Sequence, residues 1–219
     1  MRGETCIKME KIIYNQFILK EGYSKIAMAL GVTLVLFVLG FSFFTKVGIL
    51  VTLALLWIYR NNLSIINNPA NLSDTIYSPI DGKIASIDKS EGKQRVYIDV
   101  NLCGNHILRT PISGLYTIDS IVNGLNLSSW TFKSKALNSK AIVSLKDSSE
   151  DVVKMELISG FCGSKIELYA TNKELITREP IGVFVQGTII LEIPTTYEIK
   201  SYIGDKVTGG ISVIAGKIE

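Results

Sequence analysis

The stretch GVFVQGTIILEIP, residues 182–194, decides the fold class. Its second half, TIILEI at 188–193, is built of β-branched and aliphatic residues, opens after a glycine and closes on a proline, which is the make-up of a short, punctuated strand. Working outward, the same signature recurs in VYIDV (96–100), KMELI (154–158) and KIELYA (165–170), each bounded by Gly, Asn, Pro or Ser. No long helical period competes beyond Asn61. The evenly spaced short strands predict a mainly β domain, a compact barrel or sandwich rather than alternating β-α units. Segment 123–150, rich in Ser, Lys and Asn with weak periodicity around Trp130 and Phe132, reads as including an exposed loop. SPIDGK (78–83) and IGDKVTGG (203–210) are turn-bearing strand pairs of similar flavour at the two ends of this region, and suggest a pseudo-symmetric β fold with turns like those of lipoyl-type domains.

The chain has 219 residues, 47% of them hydrophobic and 20% charged. A mean hydropathy of +0.31 is high for that charge content and points to membrane contact. The apolar surplus is local. Ile26 to Thr45, IAMALGVTLVLFVLGFSFFT, is twenty residues without a charge, and twenty residues of helix cover a hydrocarbon core of about 30 Å. Val47 to Tyr59 adds a thirteen-residue apolar run after Lys46, so a transmembrane helical hairpin over 26–59 is expected. A single long tilted span is the alternative. Arg2, Lys8, Lys11, Lys20 and Lys25 precede the first run and Arg60 follows the second, which keeps both ends cytoplasmic by the positive-inside rule. The resulting layout is a cytoplasmic segment 1–25, the hairpin 26–59 and a β-rich domain 60–219, set on the cytoplasmic side of a bacterial inner membrane. A cleaved signal peptide does not fit, because twenty-five mixed residues come first.

Several function classes fall away. A net charge of +3, with no basic run interleaved with aromatics, argues against nucleic acid. GxGxxG and GxxxxGK[ST] loops are missing, so nucleotide binding has no support. Cys6, Cys103 and Cys162 are odd in number and far apart, which fits a reducing compartment, and the lone His106 lacks a partner for a metal site. No bound cofactor or metal is expected. A secretion-type adaptor would need a heptad-patterned hairpin, and a lipoyl or biotinyl carrier a Met-Lys at a turn tip; neither occurs.

Four motifs in order then carry a resemblance. SPIDGKI (78–84) is similar to the entry motif of phosphatidylserine decarboxylases, NHILRTPISG (105–114) to their His-containing segment, and GVFVQGTIILEIP to their cleavage segment, while IGDKVTGGISVIAG (203–216) looks like their closing strands. LLWIYRNN (55–62) stands where the short members have Phe-Phe-Arg-Asp-Pro after a membrane hairpin. The resemblance implies a chain that cuts itself between Gly187 and Thr188 and leaves a ketoacyl group on the shorter fragment. It assigns the nucleophile to Thr188, acid/base work to His106, and orientation or charge balance of that histidine to Asp81. The implied substrate is phosphatidylserine in the membrane and the product phosphatidylethanolamine. Self-association is compatible with the sequence.

The departures from the pattern are equally specific. The family cuts between Gly and Ser, so Thr188 adds a methyl group at the reacting carbon and restricts χ1. The product group becomes 2-oxobutyryl in place of pyruvoyl. Asn138-Ser139-Lys140 stands near the family's Asn-Glu-Arg and Gly163-Ser164-Lys165 near an arginine-rich stretch, which removes two candidate headgroup clamps. Two readings stay open at this point: a diverged decarboxylase, and a paralogue that keeps the fold, does not process, and binds phospholipid or a partner at the membrane. In bland terms, Thr188 is a strand former, and Asp81 and His106 are turn residues.

Overall fold

The computed structural model describes residues 20–59, 74–90, 92–127, 133–147, 150–161, 163, 166–169 and 172–218. The chain divides into two compact units, Met1–Ile65 and Ile66–Glu219. Arg60, Trp130, Phe132, Cys6, Cys162, Ser164 and Lys165, all weighed above, lie outside the described residues.

The first unit carries a hairpin of two helices, α1 (Lys20–Val38) and α2 (Ser42–Ile58). The expected unbroken helix from Ile26 to Thr45 is corrected here, because the chain reverses at Leu39–Phe41 rather than at Lys46. Gly40 takes φ +77, its N–H bonds the Phe37 carbonyl at 3.0 Å, and the Phe41 N–H bonds the Leu36 carbonyl at 3.1 Å. That double closure around a left-handed glycine is a Schellman stop, and a glycine surrounded by apolar residues hides it from a hydropathy reading. At about 1.5 Å per residue, the 19- and 17-residue helices are short, and α1 begins with Lys20, Glu21 and Lys25. No helix among the described residues is long and apolar enough to cross a membrane. The hairpin is therefore present, but the transmembrane spans assigned to it are not.

Small residues set the closeness of the two helices. A Cβ at Gly48 would sit 2.5 Å from Thr33 Oγ1, and one at Gly22 would sit 2.6 Å from Tyr59 Cβ. Where the helices begin and end, Lys25 Nζ donates to the Tyr59 hydroxyl at 2.7 Å and lies 5.1 Å from the ring centroid. The outward faces are apolar, with Met28, Phe37 and Phe43 each 69–71% exposed.

The second unit is mainly β, as the strand runs predict. Its largest sheet has eight strands in the order β13-β2-β3-β11-β7-β6-β5-β9: β2 is Gly82–Ser90, β3 Lys93–Val100, β5 Gly114–Val122, β6 Lys140–Lys146, β7 Val152–Ser159, β9 Lys173–Leu175, β11 Gly187–Pro194 and β13 Lys206–Val207. Two three-stranded sheets accompany it among the described residues. One joins β1 (Thr75–Tyr77), β14 (Val213–Lys217) and β12 (Tyr197–Ile199); the other joins β4 (Ile107–Arg109), β10 (Pro180–Val183) and β8 (Glu167–Leu168). Ile98, Leu157, Ile189 and Leu191 from the large sheet, Ile214 and Tyr197 from the second and Leu108 and Ile181 from the third share one core. Strand alternation drives this: β11 alternates buried and half-buried positions along its whole length, so every second side chain enters the core.

Two expectations need adjustment. Within 123–150 the polar composition conceals β6, whose Ala141, Val143 and Leu145 are fully buried, and a short helix α3 at Ser134–Leu137. KIELYA contributes only the two-residue β8. The turn-bearing motifs at the two ends of the domain meet each other, since Lys206 pairs with Lys83 and Val207 with Gly82.

Candidate active site

β11 lies inside the large sheet, hydrogen-bonded to β3 on one side and β7 on the other. Gly187, its first residue, pairs with Val100 and with Ser159. It takes φ +146, and a Cβ there would fall 2.0 Å from the Ile158 carbonyl oxygen and 2.9 Å from Phe184 Cζ. Only glycine fits, both for the dihedral and for the space. Thr188 follows on the opposite face, level with Asp99 of β3 and Ile158 of β7. Its Oγ1 donates to Asp99 Oδ1 at 2.9 Å.

A polar shell fixes the backbone just ahead of this peptide. The Gly160 N–H bonds the Gln186 carbonyl at 2.9 Å. Ser159 Oγ donates to Asn126 Oδ1 at 3.0 Å, and Asn126 Nδ2 donates to the Gly163 carbonyl at 2.8 Å. Asn138 Nδ2 donates to the carbonyls of Ser159 at 2.6 Å and Leu127 at 2.8 Å, while its Oδ1 accepts the Leu127 N–H. Asn138 thus braces two loops and is 2% exposed. Buried amides with every group partnered rigidify their surroundings.

His106 is fully buried, just before β4. Its Nε2 lies 3.2 Å from the Leu102 carbonyl oxygen, and its own carbonyl accepts the Phe184 N–H at 2.9 Å. Asp81 sits in the turn before β2. Its Oδ2 accepts the Asn105 N–H at 3.0 Å and its Oδ1 the Gly209 N–H at 2.8 Å. Asp81 therefore grips the residue before His106, His106 is bonded through its carbonyl to Phe184, four residues ahead of Thr188, and the Thr188 side chain meets Asp99 instead. The Arg109-Thr110 step and Ser113 pin the neighbouring turn, through Arg109 Nη1 to the Arg178 carbonyl at 3.1 Å, Thr110 Oγ1 to the Ile176 carbonyl at 2.6 Å, and Ser113 Oγ with Thr177 Oγ1 at 2.7 Å.

The outward face of the large sheet is charged. Asp99 stands directly between Thr188 and Lys83 in the cross-strand row. Further along, Glu192 meets Lys93 Nζ at 2.5 Å and Arg95 Nη2 at 3.1 Å. Partial burial pushes the Glu192 carboxyl upward, but hydrogen bonds from Lys93 and Arg95 outweigh that and hold it below its usual range. Sequence reasoning missed Asp99, Ser159 and Asn126. For Asp99 the signal was available in VYIDV, where strand parity puts the aspartate on the face opposite Ile98.

The family model for phosphatidylserine decarboxylase matches residues 55–215, which include Asp81, His106 and the Gly187–Thr188 peptide. A phosphatidylserine decarboxylase proenzyme of Amoebophilus asiaticus (strain 5a2) is 28% identical over 183 residues, 78% of this chain and 80% of its own. One of Syntrophus aciditrophicus (strain SB) is 27% identical over 209 residues, 91% of this chain and 97% of its own. One of Wolbachia sp. subsp. Brugia malayi (strain TRS) is 26% identical over 209 residues, 90% of this chain and 89% of its own. No solved structure matches the chain. With the family model covering 161 residues, well over half the chain, this protein belongs to the phosphatidylserine decarboxylase family.

Proposed function

We propose that the chain is a proenzyme that cuts its own Gly187–Thr188 bond and then converts phosphatidylserine to phosphatidylethanolamine. The observation that carries this reading is the peptide itself: a glycine that no other residue can replace, followed by a hydroxyl on the outward face, at the position of the family's cleavage segment. Thr188 Oγ1 attacks the Gly187 carbonyl carbon, the C–N bond breaks, and the peptide becomes an ester with a free amine on Thr188. Loss of the Thr188 α-proton then breaks the Cβ–Oγ1 bond and releases the Gly187 carboxylate. Water hydrolyses the resulting N-terminus, freeing ammonia and leaving a 2-oxobutyryl group on the shorter chain.

That group supplies a carbonyl that captures the substrate amine and draws electrons as carbon dioxide leaves. The residues around it fit. The polar shell of Asn126, Asn138 and Ser159 holds the cut end in place, and the family role of His106 is to return a proton to the product carbon. Asp81 acts on His106 through the Asn105 backbone. The substrate is a membrane lipid, and the exposed apolar sleeve of the hairpin supports seating in the membrane. Apolar stretches of about 12 residues per helix suit entry into one leaflet, with both hairpin ends and the β domain on the cytoplasmic side.

Intact-mass spectrometry of the protein isolated from membranes tests this. The expected result is a 187-residue chain and a 32-residue chain beginning at position 188, the latter lacking a free amine and reactive toward borohydride. A single uncut chain of 24.1 kDa overturns it.

A further inference from the structure

We propose that Asp99 is the proton acceptor that activates Thr188 for self-cleavage, an inference that rests on the cleavage reading above. Asp99 Oδ1 lies 2.9 Å from Thr188 Oγ1, the atom that must lose its proton to attack Gly187. The contact is enforced by the sheet. Thr188 and Asp99 sit opposite each other in a ladder of eight consecutive pairs between β11 and β3, from Gly187↔Val100 to Pro194↔Lys93. Neither strand can slip without turning its buried face outward.

The other acid/base candidates are engaged elsewhere. Asp81 accepts the backbone N–H groups of Asn105 and Gly209. His106 is buried with Nε2 at the Leu102 carbonyl. On the outward face, Glu192 is paired with Lys93 and Arg95, and Glu156 with Lys140 at 3.5 Å. Asp99 alone among these carboxylates accepts the hydrogen bond from the nucleophile.

The step balances without a co-reactant. The Oγ1 proton passes to Asp99 as the bond from Oγ1 to the Gly187 carbonyl carbon forms. The Gly187 C–N bond then breaks, and Asp99 passes the proton to the departing Thr188 nitrogen, returning as a carboxylate. The pairing also answers the β-branch. A threonine has few χ1 choices in a strand, and the bond to Asp99 holds one of them, so threonine depends on this partner more than serine would.

The test follows cleavage of the full-length chain made by cell-free synthesis in the presence of liposomes, comparing wild type with Asp99→Asn, Asp99→Glu and Thr188→Ser/Asp99→Asn. Asp99→Asn keeps the acceptor oxygen and the shape but cannot take the proton. The expected result is cleavage slowed by about 10²–10⁴-fold, partial recovery in Asp99→Glu, and a thermal midpoint close to wild type. Hydroxylamine, which attacks esters and spares amides, releases fragments early from wild type and not from Asp99→Asn. A smaller penalty in the serine background supports the rotamer argument. Wild-type rates in Asp99→Asn, with wild type cutting normally, overturn the role of Asp99 while leaving self-cleavage intact. A wild-type chain that never cuts overturns both.

Discussion

Asp81 and Gly209 are 128 residues apart and joined by a 2.8 Å hydrogen bond from the glycine N–H to the aspartate carboxylate. The same carboxylate holds Asn105 at 3.0 Å, so one side chain ties the first turn of the β unit to its His106 segment and to its closing turn. Asp81→Ala leaves two amides without their acceptor and is expected to cost about 2 kcal/mol, read from urea unfolding of a Thr188→Ala background that does not cut. Asp81→Asn keeps one acceptor oxygen and loses less.

Gly187→Ala puts a methyl group 2.0 Å from the Ile158 carbonyl oxygen in a dihedral that L residues avoid. Loss of cleavage is expected, with destabilisation of about 3 kcal/mol or more. The measurement is the mass of the isolated chain together with its thermal midpoint. A cut Gly187→Ala chain contradicts the reading of this position.

Thr188→Ser removes the methyl that crowds the attack and is expected to cut about tenfold faster or more. Thr188→Ala removes the hydroxyl and leaves the chain whole. Time courses by intact mass separate the two variants, and equal rates for threonine and serine rule out crowding at this carbon.

Tyr197 is fully buried, and among the described residues its hydroxyl has no hydrogen-bond partner. Burial first, and then the carboxylates of Asp147, Asp151 and Asp74, push its pKa from 10.0 up to about 12. The folded state therefore holds the phenolic proton where the unfolded chain has released it. Stability is complete below pH 10 and falls as pH climbs toward 12. Tyr197→Phe is expected to flatten that alkaline loss and to be neutral or stabilising by about 1 kcal/mol at pH 7; denaturant titrations from pH 8 to pH 12 check it.

The hairpin's outward side chains set its lipid affinity. Replacing Phe37, Phe43 and Leu50, each more than two-thirds exposed, with serine is expected to shift the protein from the liposome pellet to the supernatant. Cosedimentation with phosphatidylserine-containing vesicles reads this directly. Unchanged pelleting contradicts membrane seating by the hairpin.

The strands were legible in the sequence where one side chain in two is apolar, as in β11, β3 and β7. β6 was obscured because Lys140, Ser144 and Lys146 on its outward face are polar, Ile142 faces outward with them and breaks the alternation, and its inward set is only Ala141, Val143 and Leu145. The reversal at Gly40 escaped notice because it depends on one dihedral and two backbone hydrogen bonds, which composition does not encode. Asp81, His106 and Thr188 became candidates through motif resemblance. Asp99 was not, because its significance comes from cross-strand register, and register requires knowing which strand lies beside which.

The position of β11 between β3 and β7 has a consequence for how the protein can be made. If the chain is processed as proposed, scission at its first peptide bond leaves the shorter fragment clamped by ladders on both sides, with β14 still paired to β1 and β12. The cut product stays together, but its assembly is no longer a one-chain process. Once denatured, the two pieces must find each other by diffusion, so recovery becomes concentration-dependent and slow where the precursor folds alone. On that reading the uncut chain is the form that folds alone, and the cut form depends on the height of its unfolding barrier.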